Sequence, residues 1–132
     1  MDYLVRNELE DKFSGKAFNP WCFREGYEDY NKHEWVRDGN EVWACAYEKT
    51  SSKAGMLLKQ QPIKGVIKKT GYHFSFYPYC QKSNKLRKQC VNIENRVLCK
   101  DEETCKQVYN YLVQRHLDEL NSLVEEVKKD FI

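Results

Sequence analysis

The chain has 132 residues, of which 32% are charged and 14% aromatic, and its formal net charge is +2. This length fits one domain with a single core, and the composition favours a folded protein with a polar surface over a disordered chain. No stretch approaches the roughly 18 apolar residues of a membrane-spanning helix. The opening MDYLVRNELEDKF has no basic stretch followed by an apolar run, so no secretory leader is expected. We therefore expect a cytoplasmic protein that does not enter a membrane.

Residues 1–40 are expected to form an irregular lead-in, with a short helix in LVRNELEDKF. Gly and Pro residues punctuate the segment, which favours turns over long regular elements. Its many aromatic side chains indicate a segment that wraps the sheet. They also allow a protein interface, because Trp and Tyr dominate binding hot spots. The candidate interface residues are Trp21, Tyr27, Tyr30 and Trp35.

Residues 41–100 predict four short strands. In the third of them, alternation sets Phe74 and Phe76 on one side and Tyr77 and Tyr79 on the other. If the phenylalanines face a helix, the two tyrosines lie on an open face. Pro62 marks a break, a bulge or an edge position in the second strand. The four segments are EVWACAYEK (41–49), MLLKQQPIKGVIKK (56–69), GYHFSFYPY (71–79) and CVNIENRVLC (90–99).

Residues 101–132 predict a long amphipathic helix, because their apolar residues recur at gaps of three and four. Asp101 is the expected N-cap. About thirty helical residues span roughly 45 Å, which exceeds the width of a small sheet. The C-terminal half therefore projects, breaks or packs on a second chain, and a homodimer through this helix is one of the arrangements we expect.

Together these elements predict an α+β fold in one domain spanning 1–132. It would consist of a small antiparallel sheet, or partly open barrel, of about four strands in 41–100. One long C-terminal amphipathic helix would occupy 101–132, and an aromatic-rich N-terminal wrap would occupy 1–40.

The charges are strongly segregated along the chain. Residues 1–48 have a net charge of −5, residues 49–100 a net charge of +11 with Glu94 as their single acid, and residues 101–132 a net charge of −4. Such asymmetry indicates a surface that faces a polyanion. The alternative is internal neutralisation, in which the acidic flanks fold against the basic middle through surface ion pairs.

The basic segment also contains aromatic residues next to its cations, which is the composition of a nucleic-acid-binding face. Aromatic rings stack on bases, and lysine and arginine side chains follow the phosphates. We therefore predict a non-enzymatic protein that binds DNA or RNA. The predicted nucleic-acid-binding residues are Lys64, Lys68, Lys69, Tyr77, Tyr79, Lys82, Lys85, Arg87 and Lys88.

The alternative function is a protein-binding inhibitor or adaptor, of the kind that phages and mobile elements encode. It would act by charge and aromatic complementarity, with the basic sheet against an acidic protein surface or the acidic lead-in against a basic one. The junction RVLCKDEETCKQVYNYL, where the last strand enters the helix, resembles the corresponding part of integrase arm domains. The resemblance implies a small sheet-plus-helix DNA-binding module and assigns no site residues.

Catalytic and metal-binding signatures are missing from the sequence. It contains no P-loop, dinucleotide fingerprint, HExxH or GxSxG motif, so no cofactor is expected. The six cysteines include no C-x-x-C pair, so small core-filling thiols are favoured over a metal site at Cys80, Cys90, Cys99, Cys105 and His73. A solvated acidic face is favoured over a metal site at Glu25, Glu28, Asp29 and Glu34.

Overall fold

A computed structural model describes residues 3–13, 18–19, 35–49, 57–70, 73–91 and 96–132. Within these ranges, five strands form one antiparallel sheet with the order β1-β5-β2-β3-β4, and two helices accompany it. The elements are α1 (Tyr3–Lys12), β1 (Phe18–Asn19), β2 (Glu41–Lys49), β3 (Leu57–Thr70), β4 (His73–Pro78), β5 (Val97–Cys99) and α2 (Glu102–Lys128).

The predicted α+β class is confirmed, with an open antiparallel sheet and one long C-terminal helix. The predicted N-terminal wrap is not supported. Trp21, Tyr27 and Tyr30 lie outside the described residues. The short helix expected at the beginning of the lead-in is present as α1, which covers ten residues, and Leu9 and Phe13 are buried in the core.

Both faces of the sheet contribute to the core, as strand alternation requires. One cluster lies on the face away from α2, and Trp35 packs against it. The other joins the sheet to both helices and contains three of the cysteines. The buried members of the first cluster are Val36, Val42, Ala44, Ile63, Ile67, Phe76 and Leu98. Those of the second are Leu9, Phe13, Cys45, Val97, Cys99, Cys105, Val108 and Leu112.

A β-bulge interrupts the pairing of β2 with β3. Ala44 pairs with Ile63 and Ala46 with Gln60, so the register shifts where Pro62 lies. A proline cannot donate to the ladder, and a bulge accommodates the missing N–H within a central strand. The sequence-based expectation of a break, bulge or edge position at Pro62 is thus resolved as a bulge.

The predicted fourth strand over 90–99 is wrong in its extent. Val91 forms an isolated antiparallel bridge with Phe76 beside β4. In contrast, Val97–Cys99 pairs with β2 and β1 at the opposite side of the sheet. The two ends of the segment therefore belong to different parts of the sheet. Because β5 lies between β1 and β2, its three residues are all buried.

The start of α2 is as the sequence predicts. The Asp101 carboxylate accepts hydrogen bonds from the Thr104 backbone N–H at 3.0 Å and from the Thr104 hydroxyl at 2.9 Å. These bonds satisfy donors that the first helical turn leaves free. The helix packs mainly on β2, β3 and β5, so β4 and the loop after it extend beyond the part of the sheet that it covers.

Candidate nucleic-acid interface

Two lysines and two tyrosines of the predicted site share one face of the β3–β4 hairpin. Val66 pairs with Tyr77, and Lys68 pairs with Ser75. The Tyr79 N–H donates to the Lys64 carbonyl at 2.9 Å. Directly opposed residues point to the same side, so Lys64, Lys68, Tyr77 and Tyr79 lie together.

This face is the one that carries α2, which corrects the arrangement expected from the sequence. Phe76 was expected to face the helix, but it is fully buried in the cluster on the other side of the sheet. Tyr77 and Tyr79 therefore lie on the helix side. They remain half-exposed, since β4 reaches beyond the helix.

Each tyrosine ring has a lysine ammonium against it. The Lys68 Nζ lies 4.8 Å from the centroid of the Tyr77 ring. The Lys64 Nζ lies 5.8 Å from the centroid of the Tyr79 ring. Both distances fall within the roughly 6 Å of a cation–π contact. The pairs place positive charge directly beside surfaces that can stack on a planar group.

Among the described residues, β2 supplies a carboxylate to this face, that of Glu41. The Tyr79 hydroxyl donates to Glu41 Oε1 at 2.7 Å, and the Lys64 Nζ lies 3.2 Å from Glu41 Oε2. The hydrogen bond from Tyr79, followed by that from Lys64, lowers the pKa of the Glu41 carboxyl. The same bond raises the pKa of the Tyr79 hydroxyl. Glu41 is therefore ionised at neutral pH and offsets the charge of Lys64.

The loop that follows β4 is a tight hairpin. Tyr79 and Leu86 form an antiparallel bridge, and the Cys80 N–H donates to the Lys85 carbonyl at 2.7 Å. Asn84 has a φ of 57°, in the left-handed region that asparagine tolerates better than most residues. The Arg87 N–H donates to the Pro78 carbonyl at 2.9 Å. The sequence-predicted basic loop thus has a defined shape beside Tyr79.

The cations of this hairpin are exposed and have no acidic partner in the described part of the chain. Lys68, on the same face of the sheet as Tyr77 and Tyr79, likewise makes no ion pair with a described carboxylate. We call this hairpin, with Lys68 and the two tyrosines, the basic face. Its members are Lys68, Tyr77, Tyr79, Lys82, Lys85, Arg87 and Lys88.

Lys69 does not belong to the basic face. It pairs with Phe74 and follows Ile67 by two positions, so its place is on the opposite side of the sheet. Its backbone N–H donates to Asp38 Oδ1 at 2.6 Å. The structure therefore separates Lys69 from the other predicted residues, because a strand alternates its side chains.

The acidic helix does not supply the counter-charge for the basic face. The ion pairs described for α2 join its acids to cations of the same helix, with Lys106–Glu102 at 3.1 Å and Arg115–Glu119 at 3.0 Å. Arg115 also bonds Glu8 of α1 at 2.7 Å. This bond raises the pKa of the Arg115 guanidinium. Internal neutralisation is thus seen at Glu41 and Lys64, and no described acid pairs with the hairpin cations.

Cys80, which the sequence suggested to be a core-filling thiol, instead lies half-buried next to the basic face. Hydrogen bonds from the Ser83 side chain and the backbone N–H groups of Ser83 and Lys82 lower the pKa of its thiol to about 7. The half-buried thiol lines a shallow cavity of about 320 Å³ between the hairpin and β3, next to Lys64 and Tyr79. A turn that directs N–H groups at a sulfur is a three-dimensional feature that residue spacing does not show.

The other predicted residues have more ordinary surroundings. Trp35 is half-buried against the cluster on the face away from α2, so part of its surface is used internally. The Tyr47 hydroxyl and His116 Nδ1 lie 3.0 Å apart, which gives that histidine a structural partner. Cys99 is buried beside Cys45 and Cys105, and burial raises the pKa of its thiol. Among the described residues, no three His, Cys, Asp or Glu side chains form a metal-binding group.

Comparisons with known proteins give no family for this chain. No protein-family model, no curated protein and no solved structure matches it. The resemblance of the strand-to-helix junction to integrase arm domains therefore gains no support from these comparisons. Neither of the described helices is long and apolar enough to cross a bilayer.

Proposed function

We propose that this protein is a non-enzymatic nucleic-acid-binding protein and that the basic face is its binding surface. The observation that carries the proposal is the exposed hairpin whose four cations lack described acidic partners, placed beside two half-exposed tyrosines. These residue types supply the two contacts that a single-stranded nucleic acid requires, a path for phosphates and flat surfaces for bases.

The hairpin would bind the phosphates. Lys82, Lys85, Arg87 and Lys88 follow one another along a short ordered loop and are exposed. Successive phosphates of a strand could contact successive cations of this kind, with release of the counterions condensed on the strand. The resulting affinity would depend little on base sequence and strongly on salt.

The tyrosines would contact the bases. Tyr77 and Tyr79 are separated by one residue on β4, and each has a lysine at its ring. A base that stacks on a tyrosine would bring its phosphate within reach of that lysine. Stacking needs bases that are not already stacked in a duplex, so we propose a preference for single strands over duplexes.

The test is a fluorescence-anisotropy titration with labelled single-stranded and duplex oligonucleotides. It compares the protein with a variant in which Lys82, Lys85, Arg87 and Lys88 are all glutamine. Lys106→Gln is the matched control, because it removes an exposed cation from α2 at a distance from the basic face. Binding is measured at about 50 mM and about 200 mM salt, where phosphate contacts have their largest effect.

The expected result is single-strand binding that weakens steeply with salt. Each lost contact should reduce the slope of log K against log salt by about 0.7, so the quadruple variant should lose most of the salt dependence, and Lys106→Gln almost none. Equal binding by the quadruple variant and the wild type would refute the basic face as the site. Absence of binding at low salt would refute the function itself, and an acidic protein surface would then be the partner to seek.

A further inference from the structure

The C-terminal half of α2 carries a row of apolar side chains that the described sheet does not cover. The α2 residues that are buried on the sheet end at Leu112. Beyond it, Leu117, Leu120, Val124 and Val127 are 47%, 43%, 50% and 63% exposed. Single exposed apolar side chains are common on protein surfaces, but four large ones along one helix form a patch that usually marks an interaction surface.

These residues repeat at alternating intervals of four and three, which is the spacing of a coiled-coil seam. The repeat starts at Val113, which is half-buried, and extends to Phe131, which is 83% exposed. The last turn continues past the end of α2, since the Phe131 N–H donates to the Lys128 carbonyl at 3.4 Å. We call this row the C-terminal seam. Its members are Val113, Leu117, Leu120, Val124, Val127 and Phe131.

We propose that the C-terminal seam binds a second copy of this chain, with the two helices antiparallel. The sequence of the seam is symmetric when it is reversed, because a twofold axis that crosses the seam at the height of residue 122 would place each member opposite another member. In that register Leu120 would face Val124 of the partner subunit, and Leu117 would face Val127 of the partner subunit. Val113 would face Phe131 of the partner subunit at either end.

The residues that flank the seam are complementary in the same register. His116, whose Nδ1 bonds Tyr47, would lie across from Asp130 of the partner subunit. Gln114 would lie across from Lys128 of the partner subunit. Leu123, which is 55% exposed, would meet Leu123 of the partner subunit at the axis. No like charges face each other at these positions, which favours this pairing.

Charge also favours antiparallel over parallel pairing. A parallel pair would bring the two sheets, each with its +11 segment 49–100, side by side, and would align the two helix dipoles. An antiparallel pair places the sheets at opposite ends and the dipoles head to tail. The seam from Val113 to Phe131 spans roughly 27 Å at 1.5 Å per residue. This is a small interface, so we expect reversible association with a dissociation constant of roughly micromolar order.

Sedimentation of the full chain without nucleic acid, over a wide range of protein concentration, tests the association. The wild type should shift from monomer to dimer. The double variant Leu120→Glu and Val124→Glu should stay monomeric, whereas Ser122→Glu, on the far side of the helix from the seam, should dimerise like the wild type. Far-UV circular dichroism establishes that each variant is folded. A wild-type chain that stays monomeric at every concentration would overturn the proposal and assign the seam to another protein.

Cysteine cross-linking tests the orientation. In a background in which Cys22, Cys80 and Cys90 are serine, Leu123→Cys should form a disulfide-linked dimer on mild oxidation, because the two copies would meet at the axis. Leu120→Cys should cross-link only if the helices are parallel and in register. Cross-linking through Leu120→Cys without cross-linking through Leu123→Cys would overturn the antiparallel arrangement. Neither result depends on whether the basic face binds nucleic acid.

Discussion

Replacing Glu41 with glutamine should strengthen nucleic-acid binding. Glu41 is the described carboxylate that bonds both Lys64 and Tyr79, and it lies where a strand on the basic face would pass. Glutamine has nearly the same shape, and its carbonyl oxygen can still accept the hydrogen bond from Tyr79. The substitution therefore removes the negative charge while it leaves the tyrosine in place.

The size of the gain follows from one additional phosphate contact. The Lys64 Nζ lies 3.2 Å from Glu41 Oε2, and the two side chains are 46% and 53% exposed. Once released, Lys64 would be able to bind a phosphate in the way proposed for Lys68. One more phosphate contact with a single strand should steepen the slope of log K against log salt by about 0.7. The binding constant would then fall by roughly an additional factor of three when the salt is raised from about 50 mM to about 200 mM. The gain should shrink as salt screens both charges.

The assay is the same anisotropy titration, with Glu102→Gln as the control. Glu102 pairs with Lys106 at 3.1 Å on α2, so this variant also releases a lysine and gains a charge, but away from the basic face. The effect of Glu41→Gln should be present at neutral pH. It should vanish below the pKa of the Glu41 carboxyl, which is lowered from an ordinary value of 4.5, because the wild type is then protonated too. Unchanged or weaker binding by Glu41→Gln, or an equal gain by Glu102→Gln, would refute this account of the site.

Three further substitutions or measurements test the fold and the hairpin. Gly65→Ala would place a methyl group 2.5 Å from the Phe76 ring. This overpacking should lower the free energy of unfolding by about 1–3 kcal/mol and lower the midpoint temperature of thermal unfolding. An unchanged midpoint would contradict the close approach of β3 and β4. Asp101→Ala should lower the free energy of unfolding, measured by urea denaturation, by about 1 kcal/mol because the helix loses its N-cap. An unchanged free energy of unfolding would mean that this cap does not stabilise the protein. Iodoacetamide should alkylate Cys80 at a rate that rises with pH through about 7, because the thiolate reacts. The buried Cys45 should stay protected in the folded protein, and equal rates at the two thiols would argue against the hairpin geometry.

The sequence predicted the elements whose periodicity is clean. The bounds of β2 match the prediction, and those of β3, β4 and α2 fall within a few residues of it. The segment 90–99 was misread because its two ends have similar apolar residues but different neighbours. The order of strands in a sheet depends on which strand each segment pairs with, and ten residues of alternating pattern do not specify that partner. In the structure Val97 pairs with β2, whereas Val91 forms a bridge with Phe76 of β4.

The site was predictable to the extent that it follows from alternation within a hairpin. Strand period alone groups Tyr77 with Tyr79 and separates Lys68 from Lys69. The position of Glu41 was not predictable in this way. It lies outside the basic segment and reaches Tyr79, 38 positions away along the chain, through the pairing of β2 with β3 and of β3 with β4. The predicted site therefore contained two cations too many, Lys64 because Glu41 pairs with it and Lys69 because it lies on the opposite side of the sheet.

Within the described residues, the ion pairs leave the acidic charge of α2 and the basic charge of the hairpin apart. The ion pairs described for α2 join four of its acids to cations of the same helix or its C-cap, and Arg115 also bonds Glu8 of α1. Each of those pairs is satisfied without the hairpin. Four cations held close together on an ordered loop repel one another and contribute nothing to folding by charge alone. In the function proposed above, a polyanion bound beside the half-exposed tyrosines would offset this repulsion.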